Sequence, residues 1–325
     1  MKTLVVKPND ANQRIDKFLQ KTFKNLPPSM MYKGIRSKKI KINGKRCGIS
    51  DIVRQGDVVT LYLPDDVLIR TAEGLDFLSA PAELDIVYED QNILILNKVA
   101  GLLAHPDYRG TSDTLVSRVK RYLYEKGEYD PESENSFAPA LVNRLDRNTS
   151  GLVIAAKNAP ALRALADKMR NGEIRKFYLC VVCGVPDKKE ETIEGFLTKD
   201  EAKNMVGVGG QGQGRSRRIK TRYRVMQEKG GFSLLEIELL TGRTHQIRAH
   251  MASIGHPVIG DRKYGSADAN KKTGFDKQAL CAYRLVFDFK TAVGSAEGGL
   301  LDYLSGREFR LGRVWFEKAY KSIKG

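Results

Sequence analysis

The chain has 325 residues, 41% hydrophobic and 29% charged, and its 55 Lys plus Arg against 39 Asp plus Glu leave a net charge of +16. That length suits about two domains with a substantial core, and the surplus of cations selects a polyanionic partner, nucleic acid ahead of an anionic membrane surface. No apolar run reaches the roughly 18 residues of a membrane span, the apolar stretch in "MKTLVVKPND" is too short for a signal peptide, and four cysteines make no disulfide framework, so a reducing cytoplasm is expected and no membrane partner.

Residues 1–64 read as a small basic unit. "ANQRIDKFLQKTF" carries Ile15, Phe18, Leu19 and Phe23 at helical spacing. Pro27-Pro28-Ser29 breaks the chain and can start a second helix. "KGIRSKKIKINGKRC" then places Lys33, Arg36, Lys38, Lys39, Lys41, Lys45 and Arg46 in one run without an acidic residue, around the hairpin signal Asn43-Gly44. A final strand follows in "DIVRQGDVVTLYLP". Seven cations on a short ordered unit suit a phosphate backbone. The order helix, helix, basic hairpin, strand, with "RIDKFL" and "SKKIKINGK", resembles the alpha-L RNA-binding module appended to several RNA-modifying enzymes.

Residues 65–82 lose periodicity and read as a linker to a second domain, 83–325. Its strands are predicted at 85–88, 93–98, 139–145, 151–157, 175–183, 219–227, 232–240 and 279–289. Three helices interrupt them: one capped by Ser112 and stopped at Gly127, one opened by Asn158 and Pro160 and stopped near Gly172, and one opened by Thr244, with Ile247, Met251 and Ile254 on one stripe and Gly255 at its end. Strands dominate without strict alternation, so the fold class is α+β around a largely antiparallel mixed sheet flanked by helices.

Two tempting motifs are set aside. Cys180 and Cys183 form a CxxC, but two valines fill the gap and a strand would put the thiols on opposite faces, so a small core role is expected and no metal site. Gly207, Gly209 and Gly212 spell G-x-G-x-x-G in "GVGGQGQGRSRR", yet no apolar strand precedes it and Arg215, Arg217 and Arg218 follow. Residues 207–218 are expected to be a mobile cationic loop that settles on RNA, or a disordered insert.

Three segments carry the chemistry: "NRLDRNTSG" at 143–151, "GEIRKFYLCVVCG" with Tyr178, and "LLTGRTHQIRAH" with Arg243, His245 and Arg248. Together they resemble the RluA-type family of RNA pseudouridine synthases, over nearly the whole chain. "YEDQNILILNKVAGLLAHP" looks like the family's opening hairpin, "TGRTHQIRAHMASIGHPVIGDRKYG" is its most specific stretch, and the last forty residues match loosely. The resemblance implies isomerisation of uridine, in which the glycosidic bond is cut and the base is re-attached through carbon 5. One aspartate is essential and no metal or organic cofactor is used. Asp146 matches that aspartate, Arg144 the arginine that enters the base stack, Tyr178 the tyrosine that packs on the flipped base and removes the carbon-5 proton, and Arg248 the arginine that pairs with the aspartate. Arg147 and Arg243 join Arg144 as candidate RNA contacts beside the cations of the first unit.

Elementary chemistry fits these roles. A stacked uridine must be flipped out at a cost of about a few kcal/mol, part of which a side chain filling the gap recovers. Burial alone raises the pKa of an Asp and a neighbouring Arg lowers it, so a paired aspartate stays charged and can attack, at ribose carbon 1′ or uracil carbon 6. Water must be excluded from the freed base. His245 and His250, five apart, share no helix face well and are expected to be structural or to face RNA. The chain departs from the family at Asn143, where His is usual, at Val99, where Pro is common, and at Cys281, where His often stands.

The expected substrate is large-subunit ribosomal RNA, with transfer RNA second, acted on by a monomer. Two other readings compete. A non-catalytic RNA-binding or ribosome-assembly protein predicts that Asp146→Asn leaves the cellular role intact. An Asp-dependent nucleosidase predicts release of free uracil and a mass change in the RNA.

Overall fold

The computed structural model describes residues 1–69, 75–108, 110–200, 205–209, 216–290 and 299–323. In the first unit, β1 (Lys2–Val5), β2 (Gln13–Arg14), α1 (Ile15–Thr22), α2 (Pro28–Arg36), β3 (Ile40–Ile42), β4 (Lys45–Arg46), β5 (Ile52–Val53) and β6 (Val58–Leu61) follow in order. The sheet runs β1-β6-β3-β4. Ile15, Phe18 and Leu19 point from α1 onto Met31 and Ile35 of α2 and onto Ile40, Val59 and Leu61, all fully or almost fully buried. Pro28 sits at the first position of α2, where its missing N–H is no loss. Asn43 and Gly44 both adopt positive φ, 50° and 74°, the pairing a tight two-residue hairpin requires. Strand β1 was not anticipated: it is short and gains its place only by pairing with β6, the far end of the unit.

The second unit holds β7 (Ile86–Glu89), β8 (Ile93–Lys98), α3 (Leu115–Glu125), β9 (Ala140–Leu141), β10 (Ser150–Ala156), α4 (Ala159–Arg170), β11 (Ile174–Cys183), β12 (Glu190–Asp200), β13 (Met205–Gly209), β14 (Arg217–Lys229), β15 (Phe232–Leu239), α5 (Gln246–Ser253), α6 (Ala267–Thr273), β16 (Leu280–Phe287), β17 (Glu308–Arg310) and α7 (Glu317–Lys321). One large sheet runs β13-β12-β14-β15-β11-β16-β10-β8-β7, with β17 beside β16 and β9 beside β10. Among the described residues its pairs are antiparallel except β10 with β16. The fold is therefore the expected α+β arrangement. Alternation along β11 sends Tyr178, Cys180 and Val182 to the core under α3 and α5, and Phe177, Leu179 and Val181 to the core under α7. The cysteines of the CxxC thus lie on opposite faces of a strand. Among the described residues no helix is long and apolar enough to cross a membrane, and no group of three His, Cys, Asp or Glu is placed to hold a metal ion.

Several local expectations need correction. Thr114, not Ser112, caps α3, its hydroxyl accepting the backbone N–H of Ser117 at 3.2 Å. The strand expected over 139–145 pairs only at Ala140 and Leu141. Beyond them the side chain of Asn143 takes over the ladder, accepting from Ile154 N (2.8 Å) and donating to Leu152 O (3.3 Å), so the backbone peels away and turns. The loop expected at 207–218 is strand at both ends, β13 and the start of β14; residues 210–215 lie outside the described residues. Val206 and Val208 reach inward to Leu197, Ile219 and Ala249, and this apolar alternation on a polar edge strand was hidden by the glycines and charges between. Within 65–82, Leu68 is buried in the first unit and Phe77 in the second.

The two units touch through polar groups. Asp10, fully buried, accepts from Asn135 Nδ2 (2.6 Å) and Ser136 Oγ (2.6 Å), and Asn9 Oδ1 accepts from Ala159 N (3.0 Å) at the start of α4.

Candidate active site

Where the chain leaves β9 it crosses the edge of β10 and β16 and enters β10 at Ser150. Residues 143–149 are thus pinned at both ends. Lys98, buried at the end of β8, tightens this loop from beneath: its ammonium donates to the carbonyls of Val99 (3.1 Å), Leu102 (2.8 Å) and Arg147 (3.0 Å). Burial lowers its pKa to about 8, with the charge of Asp146 opposing the shift.

A second tight turn faces the first. After β15, the Thr241 hydroxyl donates to Gln246 Oε1 (2.8 Å), Gln246 Nε2 donates to Lys220 O (3.1 Å), and His245 takes positive φ of 55°. This turn starts α5 and aims its first full turn inward, so Arg248 is only 4% exposed. Its guanidinium bridges two carboxylates: Nη1 donates to Asp146 Oδ2 at 2.9 Å, while Nε and Nη2 grip Asp261 at 2.6 and 3.0 Å. Asp261, fully buried, also accepts the backbone N–H groups of Lys263 (2.8 Å) and Tyr264 (3.2 Å). Burial pushes the Asp261 pKa up, but the hydrogen bonds and charge of Arg248 outweigh it and hold the carboxylate below its ordinary range. Burial would likewise pull Arg248 down; Asp261 first and Asp146 after it keep it raised.

One cavity of about 290 Å³, at the small end of ligand-site sizes, is lined by Arg144, Asp146, Tyr178, Arg243, His245 and Arg248, and also by Lys176 and Met169. Asp146 is 25% exposed there. Arg248 holds one of its oxygens, and among the described residues the other has no hydrogen bond. His245 Nε2 stands 3.8 Å from the same carboxylate; burial lowers its pKa against the pull of Asp146, so the permanent guanidinium is the partner. Tyr178 is buried to 5%, and burial first, then the charge of Asp146, push its phenol pKa up.

Of the residues singled out in the sequence, Arg144 and Arg243 are exposed at the cavity rim, and Arg144 Nη2 donates to Thr244 Oγ1 at 3.1 Å. Arg147 is not a lining residue: its side chain turns to Gly101 O (3.0 Å). The cations of the first unit lie outside this cavity, on α2, on the turn that joins it to β3, and on β3 and β4. All but the half-buried Lys41 are exposed, and among the described residues none of the seven has a carboxylate partner. His250 is buried, its Nδ1 3.0 Å from Thr221 Oγ1, and plays a structural part. Asp261, Lys98 and Lys176 were missed. Asp261 lies inside the stretch "VIGDRKYG", but no spacing rule links it to Arg248 thirteen residues earlier.

The family of RNA pseudouridylate synthases matches residues 92–253, and the S4 domain matches 13–59. An uncharacterized RNA pseudouridine synthase of Bacillus subtilis is 33% identical over 85% of this chain and 86% of its own length. The ribosomal large subunit pseudouridine synthase C of Vibrio cholerae is 34% identical over 78% of each. Among solved structures, human RNA pseudouridylate synthase domain containing 4 superposes with a TM-score of 0.55 at 18% identity, over 72% of this chain and 90% of that one, a likeness of fold.

Proposed function

The chain belongs to the RluA-type family of RNA pseudouridine synthases and carries an N-terminal S4 domain; from that premise we propose that it isomerises uridines of large-subunit ribosomal RNA, with Asp146 as nucleophile, Arg248 as its charge partner and Tyr178 as the aromatic wall under the flipped base. The observation that carries this reading is the Asp146 carboxylate, one oxygen held by Arg248 at 2.9 Å and the other without a hydrogen bond among the described residues, in the same cavity as Tyr178.

The Arg248 guanidinium lies against the carboxylate in a charge-assisted hydrogen bond and leaves the attacking oxygen facing the cavity. Arg144, at the rim, is placed to fill the gap left by the departing base, and Arg243 to hold the backbone. In the reaction the bond from N1 to carbon 1′ breaks, the base turns, carbon 5 bonds carbon 1′, and the carbon-5 proton ends on N1, so nothing is added or lost. Tyr178 enters as a neutral phenol. When Asp146 bonds to the substrate its charge is consumed, and one of the influences that hold the phenol's proton, second only to burial, disappears. Loss of that charge makes the phenolate more accessible at the stage where the carbon-5 proton must leave. The relatives named for the ribosomal large subunit favour that RNA over transfer RNA. In this reading residues 1–64 are an RNA-holding unit, residues 83–325 the catalytic one, and the enzyme works as a cytoplasmic monomer.

The test is chemical mapping of pseudouridines in RNA from a strain lacking the gene, complemented with the wild type or with Asp146→Asn. Expected are one or more large-subunit sites that vanish, return with the wild type and stay absent with the variant, without any change in RNA mass. Sites confined to transfer RNA would overturn the substrate. Restoration by Asp146→Asn would overturn the nucleophile.

A further inference from the structure

Four lysines of the second unit have ammonium groups drawn into the protein, and three are satisfied by oxygen. Lys98 has its three carbonyls. Lys157 donates to Glu89 (2.9 Å) and Asp90 O (2.7 Å), and Lys168 to Glu173 (2.8 Å). Lys176 differs. Among the described residues its Nζ meets no oxygen acceptor and no carboxylate, only Met169 Sδ at 3.3 Å, a weak acceptor. Lys176 stands two residues before Tyr178 on the same face of β11 and lines the same cavity. Burial alone pulls its pKa down, with no compensating anion, and Asp146 is already engaged by Arg248. The backbone leaves room in front of it: a side chain at Gly242 would begin 3.9 Å from the ammonium.

A cation held partly out of water without a partner is costly, and a fold that keeps three similar lysines paired does not leave the fourth empty for packing's sake. We infer that Lys176 is the seat of a phosphate of the flipped nucleotide, an anion subsite inside the uridine cavity. A compact ammonium with three donors suits a phosphate oxygen as a point charge. A uracil carbonyl is the weaker candidate, because a neutral acceptor returns less to a desolvated cation than a charged one. The inference rests on reading the cavity as the uridine site. It adds that the enzyme grips the nucleotide at the phosphate on the Lys176 side and leaves Arg248 to the carboxylates.

The test uses three probes, uridine, uridine 5′-monophosphate and uridine 3′-monophosphate, titrated into the full-length protein by calorimetry or nuclear magnetic resonance. The wild type should bind one of the monophosphates roughly tenfold or more tighter than uridine, as a charge-assisted hydrogen bond implies, and which one shows whether the phosphate lies on the 5′ or the 3′ side. Lys176→Met, similar in length and next to Met169, should fold, bind uridine as before and lose the preference; Lys176→Arg should keep part of it. Equal binding of all three probes to the wild type, or an undiminished preference in Lys176→Met, would overturn the subsite and point to a base carbonyl or a structural lysine. Pseudouridine formation in total RNA from the deletion strain is measured alongside. If the wild type prefers a monophosphate but forms no pseudouridine, the isomerase reading fails and the anion subsite stands. If it forms pseudouridine but shows no preference, the reverse holds.

Discussion

At the scale of single residues the site is a chain of charge: Asp146, Arg248, Asp261. The outer carboxylate fixes the guanidinium so firmly that Arg248 can present one N–H to Asp146 without wandering. Removing the charge of Asp261 therefore acts at a distance from the chemistry. Asp261→Asn should destabilise the protein by about 3 kcal/mol, the size expected when one partner of a buried pair is removed, and should lower kcat at least tenfold while KM changes little. Urea denaturation and single-turnover pseudouridine formation separate the two effects. A normal kcat in a destabilised variant would show that Arg248 keeps its aim unaided. Of this chain, Asp146, Tyr178 and Arg248 were legible because each sits in a distinctive local string. Asp261 was not, because its meaning is a contact with a residue that only folding brings near. Arg147 was expected beside Arg144 as an RNA contact, and the carbonyl of Gly101 decided that it does not line the cavity.

At the scale of elements, two junctions place these residues. The parallel join of β10 to β16 brings Gly151 against Ala282. Gly151 adopts φ of +113°, and a Cβ there would lie 2.2 Å from the Ala282 carbonyl oxygen. Gly151→Ala must strain the backbone and push the strands apart, so a loss of more than about 3 kcal/mol is expected, read as a lowered urea midpoint or as insoluble protein. The second junction is α5 on β14, where His250 bonds Thr221. Burial lowers the His250 pKa to about 4, whereas the unfolded chain has about 6.5. The folded state thus refuses a proton that the unfolded state accepts. The contribution is fully present above about pH 6.5, falls as pH drops toward 4 and is level below it, roughly 3 kcal/mol in all. His250→Gln should flatten the difference in stability between pH 7 and pH 4.5 relative to the wild type. A difference that is the same in both proteins would show that His250 is protonated within the fold. Helix α4 was legible from its apolar stripe and its Asn158 cap, and α5 from its stripe alone: Thr244 was expected to open it, but the N-cap is His245, with no side-chain cap bond. Strands β12, β13 and β17 were not: β13 is an edge strand, β17 is three residues long, and β12 carries charged and polar residues between its few inward apolar ones, so all three depend on a neighbour for their shape.

At the scale of the whole molecule, the cations between Lys33 and Arg46 and the cavity around Asp146 belong to separate cores joined by the contacts of Asn9 and Asp10 with 135–136 and 159. Affinity and chemistry should then separate. Changing Lys38, Lys39 and Lys45 to Gln together should weaken RNA binding and reduce the slope of log affinity against log salt by about two to three, while kcat at saturating RNA stays within about twofold. Filter binding from low to high salt, with turnover measured beside it, checks this. An unchanged slope would remove the hairpin from the interface. The net charge of +16 announced an RNA partner, but how the basic unit is fastened to the catalytic one depends on the buried Asp10, a residue with no marking in the sequence.

The amino-acid order alone determined the class of fold and the family, and it carried the three strings that bring Asp146, Tyr178 and Arg248 to one cavity, because periodicity, turn chemistry and motif are local properties. The tertiary structure decided which oxygen of Asp146 is held, that Asp261 stands behind Arg248, and that Lys176 faces the cavity with, among the described residues, only the Met169 sulfur beside its ammonium. Those are facts about distance between remote segments, and they exist only once the sheet has set its register.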